Sequence, residues 1–78
     1  MKEWNHYKVI DGRAYAVVYR EKGSDKIKVC PFCNKSHSHS SGDGHRNTHC
    51  TTDSFYHVVV ASDGTIMKKS DGYYIVEE

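Results

Sequence analysis

The chain has 78 residues, of which 37% are hydrophobic, and its 11 Lys and Arg residues against 10 Asp and Glu residues give a net charge of +1. This length suits one domain, and so small and polar a core is marginal without a metal ion or disulfides. The near-neutral charge excludes a strongly basic tail. No apolar run approaches the ~20 residues of a membrane span, and the N-terminus lacks a signal-peptide core, so we expect a cytoplasmic protein without membrane contact.

Short strands and tight turns are predicted outside residues 30–50. Residues 7–10 and 13–19 flank Asp11 and Gly12, which predict a two-residue hairpin turn because both turn positions need positive φ. Both alternating faces of residues 13–19 are largely apolar, so we expect a central strand there. Further strands are predicted over 27–29, 55–61, 65–69 and 73–76. We expect a small β-rich fold, an antiparallel sheet or meander with at most one short helical turn.

The predicted organisation is a single domain over residues 1–78. A zinc-binding loop, residues 30–50, is inserted between the β-rich segments 4–29 and 55–78. All three cysteines and four of the six histidines lie in this loop. An odd number of cysteines without a secretion signal favours a metal site over a disulfide framework.

Cys30 and Cys33 form a C-x-x-C loop, which lets two thiolates turn toward one ion. Such a loop usually needs a left-handed residue after the second cysteine, and Asn34 is among the residues that tolerate this conformation. A redox dithiol is the competing interpretation. It requires a helix that starts at the first cysteine, and the polar residues after Cys33 do not predict one.

A closed structural zinc site needs four ligands. The spacing of Cys33, His45 and His49 is one residue from that of a zinc finger, and a helical turn over 46–50 would place both histidines on one face. Cys50 is a better zinc ligand than a histidine. We therefore predict Zn²⁺ bound by Cys30, Cys33, His45 and Cys50, with His49 as the substitute for either of the last two.

The other histidines of the loop leave alternatives open. His37 and His39 are reserve ligands, and together with Asp43 and His45 they would instead resemble the metal site of a hydrolase. So short a chain has little room for a substrate cleft beside such a site. Residues 36–47 contain no apolar side chain, so a plain disordered linker is the remaining interpretation.

The loop resembles a motif of small zinc-finger-like proteins of bacteriophages and bacterial mobile elements, in which C-P-x-C-G is followed by H-x-H-G, G-x-G-H-R and H-C. The chain matches this motif at Cys30, Pro31, Cys33, His37, His39, Gly42, Gly44, His45, Arg46, His49 and Cys50. It departs at Asn34 and Ser40, where the pattern has Gly. The resemblance is confined to residues 30–50 and implies a zinc-stabilised module of phage or prophage origin.

A basic patch suggests one function. Residues 1–39 carry eight Lys and Arg residues against four Asp and Glu residues. The candidate phosphate contacts are Arg20, Lys22, Lys26, Lys28, Lys35 and Arg46. Dedicated nucleic-acid binders are usually more basic, and exposed lysines on strands also serve to discourage edge pairing.

Aromatic residues suggest the other function. Trp4, Tyr7, Tyr73 and Tyr74 are candidates for exposed anchors of a protein interface, although they could equally fill a core that has no Leu. The chain offers no convincing nucleophile–base pair, so we do not expect an enzyme. We favour a zinc-stabilised protein-interaction module, a phage factor that binds and modulates a host protein, over a nucleic-acid-binding zinc module. A homodimer through an unpaired edge strand would suit either.

Overall fold

The computed structural model describes residues 2–24, 26–38, 44–48 and 56–77. These residues form nine short strands: β1 (Lys2–Glu3), β2 (Tyr7–Ile10), β3 (Arg13–Arg20), β4 (Lys26–Ile27), β5 (His37–Ser38), β6 (Gly44–Arg46), β7 (Val58–Val60), β8 (Ile66–Lys68) and β9 (Tyr73–Glu77). A single 3-10 turn, Lys69–Asp71, follows β8. The prediction of a small β-rich fold is confirmed. Within the described ranges, no helix is long and apolar enough to cross a membrane.

The β2–β3 hairpin turns at Asp11 and Gly12, as the sequence predicts. Both residues have positive φ, 52° and 79°, which is the conformation that a two-residue hairpin turn requires. Antiparallel pairing runs from Tyr7↔Ala16 to Ile10↔Arg13. The hairpin therefore sets the register of β3, around which the larger sheet is built.

The larger sheet has the strand order β5-β4-β3-β9-β6, and β2 also pairs with β3. β2 and β4 share one edge of β3, whereas β9 occupies the other edge, so β3 is the central strand that its two apolar faces predict. β3 and β9 run parallel, which makes the sheet mixed and not purely antiparallel. Parallel strands need a long connection, and the cysteine-rich segment and strands β7 and β8 lie on the connection between these two.

The smaller sheet has the order β1-β7-β8. Its β7–β8 hairpin closes through two backbone hydrogen bonds, from Ala61 N to Thr65 O (2.8 Å) and from Gly64 N to Ala61 O (2.9 Å). The β-branched run Val58–Val60 suits a strand because branching restricts χ1. β1 lies parallel to β7, and Trp4 N donates to Val60 O (3.0 Å), so the N-terminal residues connect the two sheets.

One apolar core joins both sheets and the cysteine loop. Its buried hydrophobic residues are Ala16, Val18, Ile27, Cys30, Phe32, Cys33, Val59, Ala61, Met67, Tyr73 and Ile75. Tyr73 is 0% exposed, so of the two predicted alternatives it fills the core and is not an exposed anchor. The parallel register sets Tyr73 beside Ala16, whose small side chain leaves room for the ring. Because side chains alternate along a strand, the neighbours of these core residues on β3 and β9 lie on the opposite face of the sheet.

Candidate metal centre and aromatic surface

The C-x-x-C loop forms the tip of the β4–β5 hairpin. β4 and β5 pair through Lys26↔Ser38 and Ile27↔His37, and the loop residues between them are closed by backbone hydrogen bonds. Asn34 N donates to Cys30 O (2.8 Å), and Cys30 N donates to Lys35 O (2.9 Å). Asn34 has a φ of 62°, so the left-handed conformation predicted after the second cysteine is confirmed. The loop thus turns back on itself, with Cys30 at its start and Cys33 near its end.

Both cysteines are buried and belong to the core. Pro31 and Phe32, between them, are also buried, and Phe32 O accepts a hydrogen bond from Tyr56 N (3.0 Å). The described residues that follow Cys33 lead into strand β5 and not into a helix, so the context of a redox dithiol is absent from this part of the chain. The loop therefore packs into the core, and backbone hydrogen bonds hold it both internally and to Tyr56.

His45 lies on the other side of the larger sheet from the buried cysteines. It belongs to β6 and pairs with Tyr74, and directly paired residues of neighbouring strands share a face. Its ring makes edge contacts with the rings of Tyr15 and Tyr74, at centroid separations of 5.5 Å each. His45 Nε2 donates to the backbone oxygen of Asp71 (2.8 Å). The structure brings Cys30 and Cys33 together and does not bring His45 to them.

The other predicted ligands are outside the described residues. His39, Asp43, His49 and Cys50 are in this group, and His37 is described only as a β5 residue opposite Ile27. Arg46 belongs to strand β6, so the described part of 46–50 does not form the expected helical turn. Among the residues that the structure does describe, no group of three or more His, Cys, Asp or Glu side chains is positioned to hold a metal ion.

The predicted basic patch is divided by the sheet. Arg20 Nη2 lies 2.9 Å from Glu77 Oε2, so an acidic partner compensates its charge. Arg46 is on β6, three strand steps of ~4.8 Å from β4. The exposed lysines at the β3–β4 turn and around the cysteine loop are Lys22, Lys26, Lys28 and Lys35. Arg20 pairs with Ile27 of β4 and so lies beside these lysines with its charge compensated by Glu77, whereas Arg46 lies apart from them beyond β9.

The outer face of the larger sheet carries half-buried apolar side chains. We call the surface formed by Tyr15, Val17, Tyr74 and Val76 the tyrosine face. The rings of Tyr15 and Tyr74 meet edge-on at 5.3 Å, and Lys8 Nζ lies 4.7 Å from the centroid of Tyr74. No described element covers this face. The alternation of residues 13–19 predicts which side chains share the face, but it does not predict that the face is left uncovered by the described elements.

A groove of about 390 Å³ opens beside the tyrosine face. Its walls are the rings of Trp4, His6 and Tyr19, and Glu3 and Lys28 lie on its rims. His6 makes edge contacts with Trp4 at 5.9 Å and with Tyr19 at 5.4 Å, with interplanar angles of 74° and 87°. We call this feature the aromatic groove. Sequence reasoning singled out Trp4 as a candidate for exposure and missed His6 and Tyr19, because the chain brings these three residues together only through the sheet.

The buried C-x-x-C loop can supply two sulfur ligands, and the tyrosine face and the aromatic groove can supply apolar contact surface. Comparison of the chain with protein-family models, curated proteins and solved structures finds no match.

Proposed function

We propose that the chain is a non-enzymatic, zinc-stabilised module that binds another protein through the tyrosine face. The observation that carries this proposal is the outer face of the larger sheet, which no described element covers and where two tyrosines and two valines are half-buried. Tyrosine rings bury much area for little conformational entropy and are enriched in protein interfaces. The resemblance to small phage proteins favours a host protein as the partner.

The zinc ion is proposed to bind at the C-x-x-C loop. Two sulfur donors in one closed turn, with Asn34 in the left-handed conformation, suit a soft tetrahedral ion. The bound ion would fix the loop against the core, where Phe32 is already buried. The proposed role of the zinc ion is structural. The proposal includes neither an open coordination position on the ion nor a substrate cleft.

The remaining ligands are proposed to be Cys50 and one histidine. Two contacts of flanking residues support this choice: Tyr56 N donates to Phe32 O (3.0 Å), and Thr48 Oγ1 lies 3.4 Å from the backbone oxygen of Lys69. Lys69 N in turn donates to His57 O (2.9 Å), next to Tyr56. Tyr56, which follows the segment that carries Cys50, is therefore in contact with the cysteine loop, and Thr48, which precedes it, is in contact with Lys69. His49 is preferred over His45, whose ring is engaged on the outer face.

Metal analysis tests the zinc site directly. The purified protein should contain one zinc per chain, and Cys30→Ser and Cys50→Ser should each lose it. His49→Ala should lose zinc if His49 is the fourth ligand, and His45→Ala should lose it if the original prediction holds. His57→Ala is the matched control, because His57 is an exposed histidine outside the cysteine loop and should leave the zinc content unchanged.

Chelation tests whether the metal stabilises the fold. Structural zinc contributes about 10–16 kcal/mol in small domains, which exceeds the ~4–12 kcal/mol expected for the whole 78-residue chain. Removing zinc should therefore abolish the cooperative melting transition followed by circular dichroism. A sample shown to be free of metal that still melts at the original temperature would contradict the zinc proposal.

A protein partner is favoured over a nucleic acid by the distribution of charge. Arg20 is paired with Glu77, and Arg46 is separated from the lysines by β9 and β3, so the residues of the predicted patch do not form one cationic surface. Phosphate contacts dominate nucleic-acid affinity and need clustered positive charge. The tyrosine face, by contrast, is continuous across the two central strands.

An affinity capture from bacterial lysate, with and without nuclease, separates the two classes. The captured protein should remain after nuclease treatment, and Val76→Lys should abolish its capture because the lysine places a charge in the tyrosine face. Ile66→Lys is the matched control: Ile66 is 56% exposed on β8 of the smaller sheet. Capture that disappears with nuclease, or that both variants affect equally, would contradict the proposed interface.

A further inference from the structure

We propose that the aromatic groove binds a proline-rich segment of the protein partner in the polyproline II conformation, with prolines three residues apart. This inference rests on the proposed function, since it names the part of the partner that enters the groove beside the tyrosine face. The groove volume, about 390 Å³, lies in the range of sites that hold small ligands and short peptide segments.

The walls of the groove are fixed by hydrogen bonds to β3. Trp4 Nε1 donates to Val17 O (3.1 Å), so the indole ring is held upright beside the strand. Val17 N donates to His6 O (2.7 Å), and Lys28 N donates to Tyr19 O (3.0 Å). Such prior ordering lowers the entropy cost of binding.

The same hydrogen bonds argue against a partner that adds a β-strand. Strand addition needs free backbone donors and acceptors along a sheet edge. Over Val17–Tyr19 this edge is already occupied by His6, the Trp4 indole and Lys28. A polyproline II segment needs no such pairing, because its backbone is fully solvated and makes no internal hydrogen bonds.

The ring geometry matches the repeat of this conformation. Three rings follow one another at 5.9 Å and 5.4 Å, and one polyproline II turn of three residues rises about 9 Å. Prolines at positions i and i+3 would therefore contact the two outer rings, Trp4 and Tyr19, whose centroids lie at most about 11 Å apart. With interplanar angles of 74° and 87°, neither pair of adjacent rings is parallel, so neither pair would sandwich a nucleobase.

The rims of the groove carry one charge of each sign. Asn5 Nδ2 donates to Glu3 Oε2 (3.1 Å), which orients the Glu3 carboxylate, and Lys28 lies on the other rim. A peptide with a basic residue at one end of its proline pair would place that residue beside the Glu3 carboxylate. The charges thus predict the direction in which a proline-rich segment binds.

Fluorescence of Trp4 tests the proposal, because Trp4 is the single tryptophan of the chain and lies in the groove wall. The probes are two synthetic decapeptides with a P-x-x-P core, one with Arg before the core and one with Arg after it, titrated into zinc-loaded full-length protein. One orientation should change the Trp4 emission saturably and bind more tightly than the other. Replacing both prolines by alanine should remove the response.

Matched variants locate the site. Tyr19→Ala should weaken peptide binding about tenfold or more, as truncation of an aromatic anchor does, and Ile66→Ala should leave it unchanged. Ile66 is the matched control because it is an exposed apolar residue on β8 of the smaller sheet, outside the groove and the tyrosine face. Peptide binding to the Tyr19→Ala variant is also measured by isothermal titration calorimetry, so that the comparison does not depend on fluorescence. Glu3→Lys should remove the preference between the two orientations.

Three results would overturn the proposal: no response to either peptide by the folded protein, an equal effect of Ile66→Ala and Tyr19→Ala, or saturable binding of an oligo-dT strand that Tyr19→Ala abolishes. The last would assign the groove to nucleic acid. If Val76→Lys abolishes capture of the partner but excess peptide does not release it, the proposed function stands. Only the binding of a proline-rich segment in the aromatic groove is then excluded.

Discussion

Gly72 provides a sharp test of how β6 is placed. Its φ of 79° and ψ of −162° lie in a region that is almost restricted to glycine. A Cβ added here would lie 2.5 Å from Arg46 O and 2.7 Å from His45 Nε2. The first neighbour is a backbone atom, which cannot move away without displacing the strand. Gly72→Ala should therefore force β6 away from β9.

The expected loss of stability has two parts. The backbone conformation alone costs an alanine about 1–3 kcal/mol. Displacement of β6 removes its three residue pairs with β9, and each backbone hydrogen bond lost contributes roughly 0.5–1.5 kcal/mol. A total of about 3–5 kcal/mol would lower the melting temperature by at least about 12 °C in a domain of this size.

Gly12→Ala is the matched control, because Gly12 has the same φ of 79° with no atom within 4 Å of an added Cβ. It should cost only the ~1–2 kcal/mol of a left-handed L-residue. Thermal and urea unfolding of both variants measure the difference. Equal losses in the two variants would refute the close approach of Arg46 and His45 to Gly72.

Three further variants have defined outcomes. Asn34→Ala should lower the free energy of unfolding by about 1 kcal/mol because of the left-handed φ at this position, and Asn34→Gly should not. Lys2→Ala is the control for the hydrogen bond from Lys2 to the Asn34 side chain. The pKa of the Asp63 carboxyl is lowered, chiefly because the Tyr7 hydroxyl donates to it, so this contact stabilises the fold above the usual pKa of 3.8 and is lost as pH falls further. The melting-temperature difference between wild type and Asp63→Asn should therefore be larger at pH 7 than at pH 3. Phe32→Ala should cost about 3–5 kcal/mol in urea unfolding and weaken zinc retention, because it leaves a cavity under the cysteine loop.

Local chemistry in the sequence predicts the local structure well. Asp11 and Gly12 predict the hairpin turn because few residues accept positive φ, and Asn34 predicts the left-handed end of the cysteine loop for the same reason. The alternation of residues 13–19 predicts the two faces of β3 because successive side chains of a strand point to opposite sides. Each of these predictions depends on a few neighbouring residues.

The sequence does not predict which strands pair when they lie far apart in the chain. The parallel partnership of β3 and β9 joins residues more than fifty positions apart, and it decides that Tyr73 is buried while Tyr74 lies on the outer face. The pairing of β6 with β9 similarly decides that His45 contacts tyrosine rings. Spacing along the chain suggested His45 as a zinc ligand, but spacing cannot report the side of a sheet on which a residue lies.

The open tyrosine face and the metal site are linked by the energetics of so small a domain. Fully burying an aliphatic or aromatic side chain contributes about 1.5–3 kcal/mol, and four side chains of the central strands stay half-buried on the outer face. A face kept available for a partner therefore forgoes several kcal/mol of stability that a covered sheet would have. A chain of 78 residues has few other apolar contacts to offset that loss. A metal ion at the cysteine loop would stabilise the fold from the core side and leave the outer face free. On this reasoning the free energy of unfolding of the zinc-bound protein should rise when the partner binds, since the partner covers the face that folding alone leaves exposed.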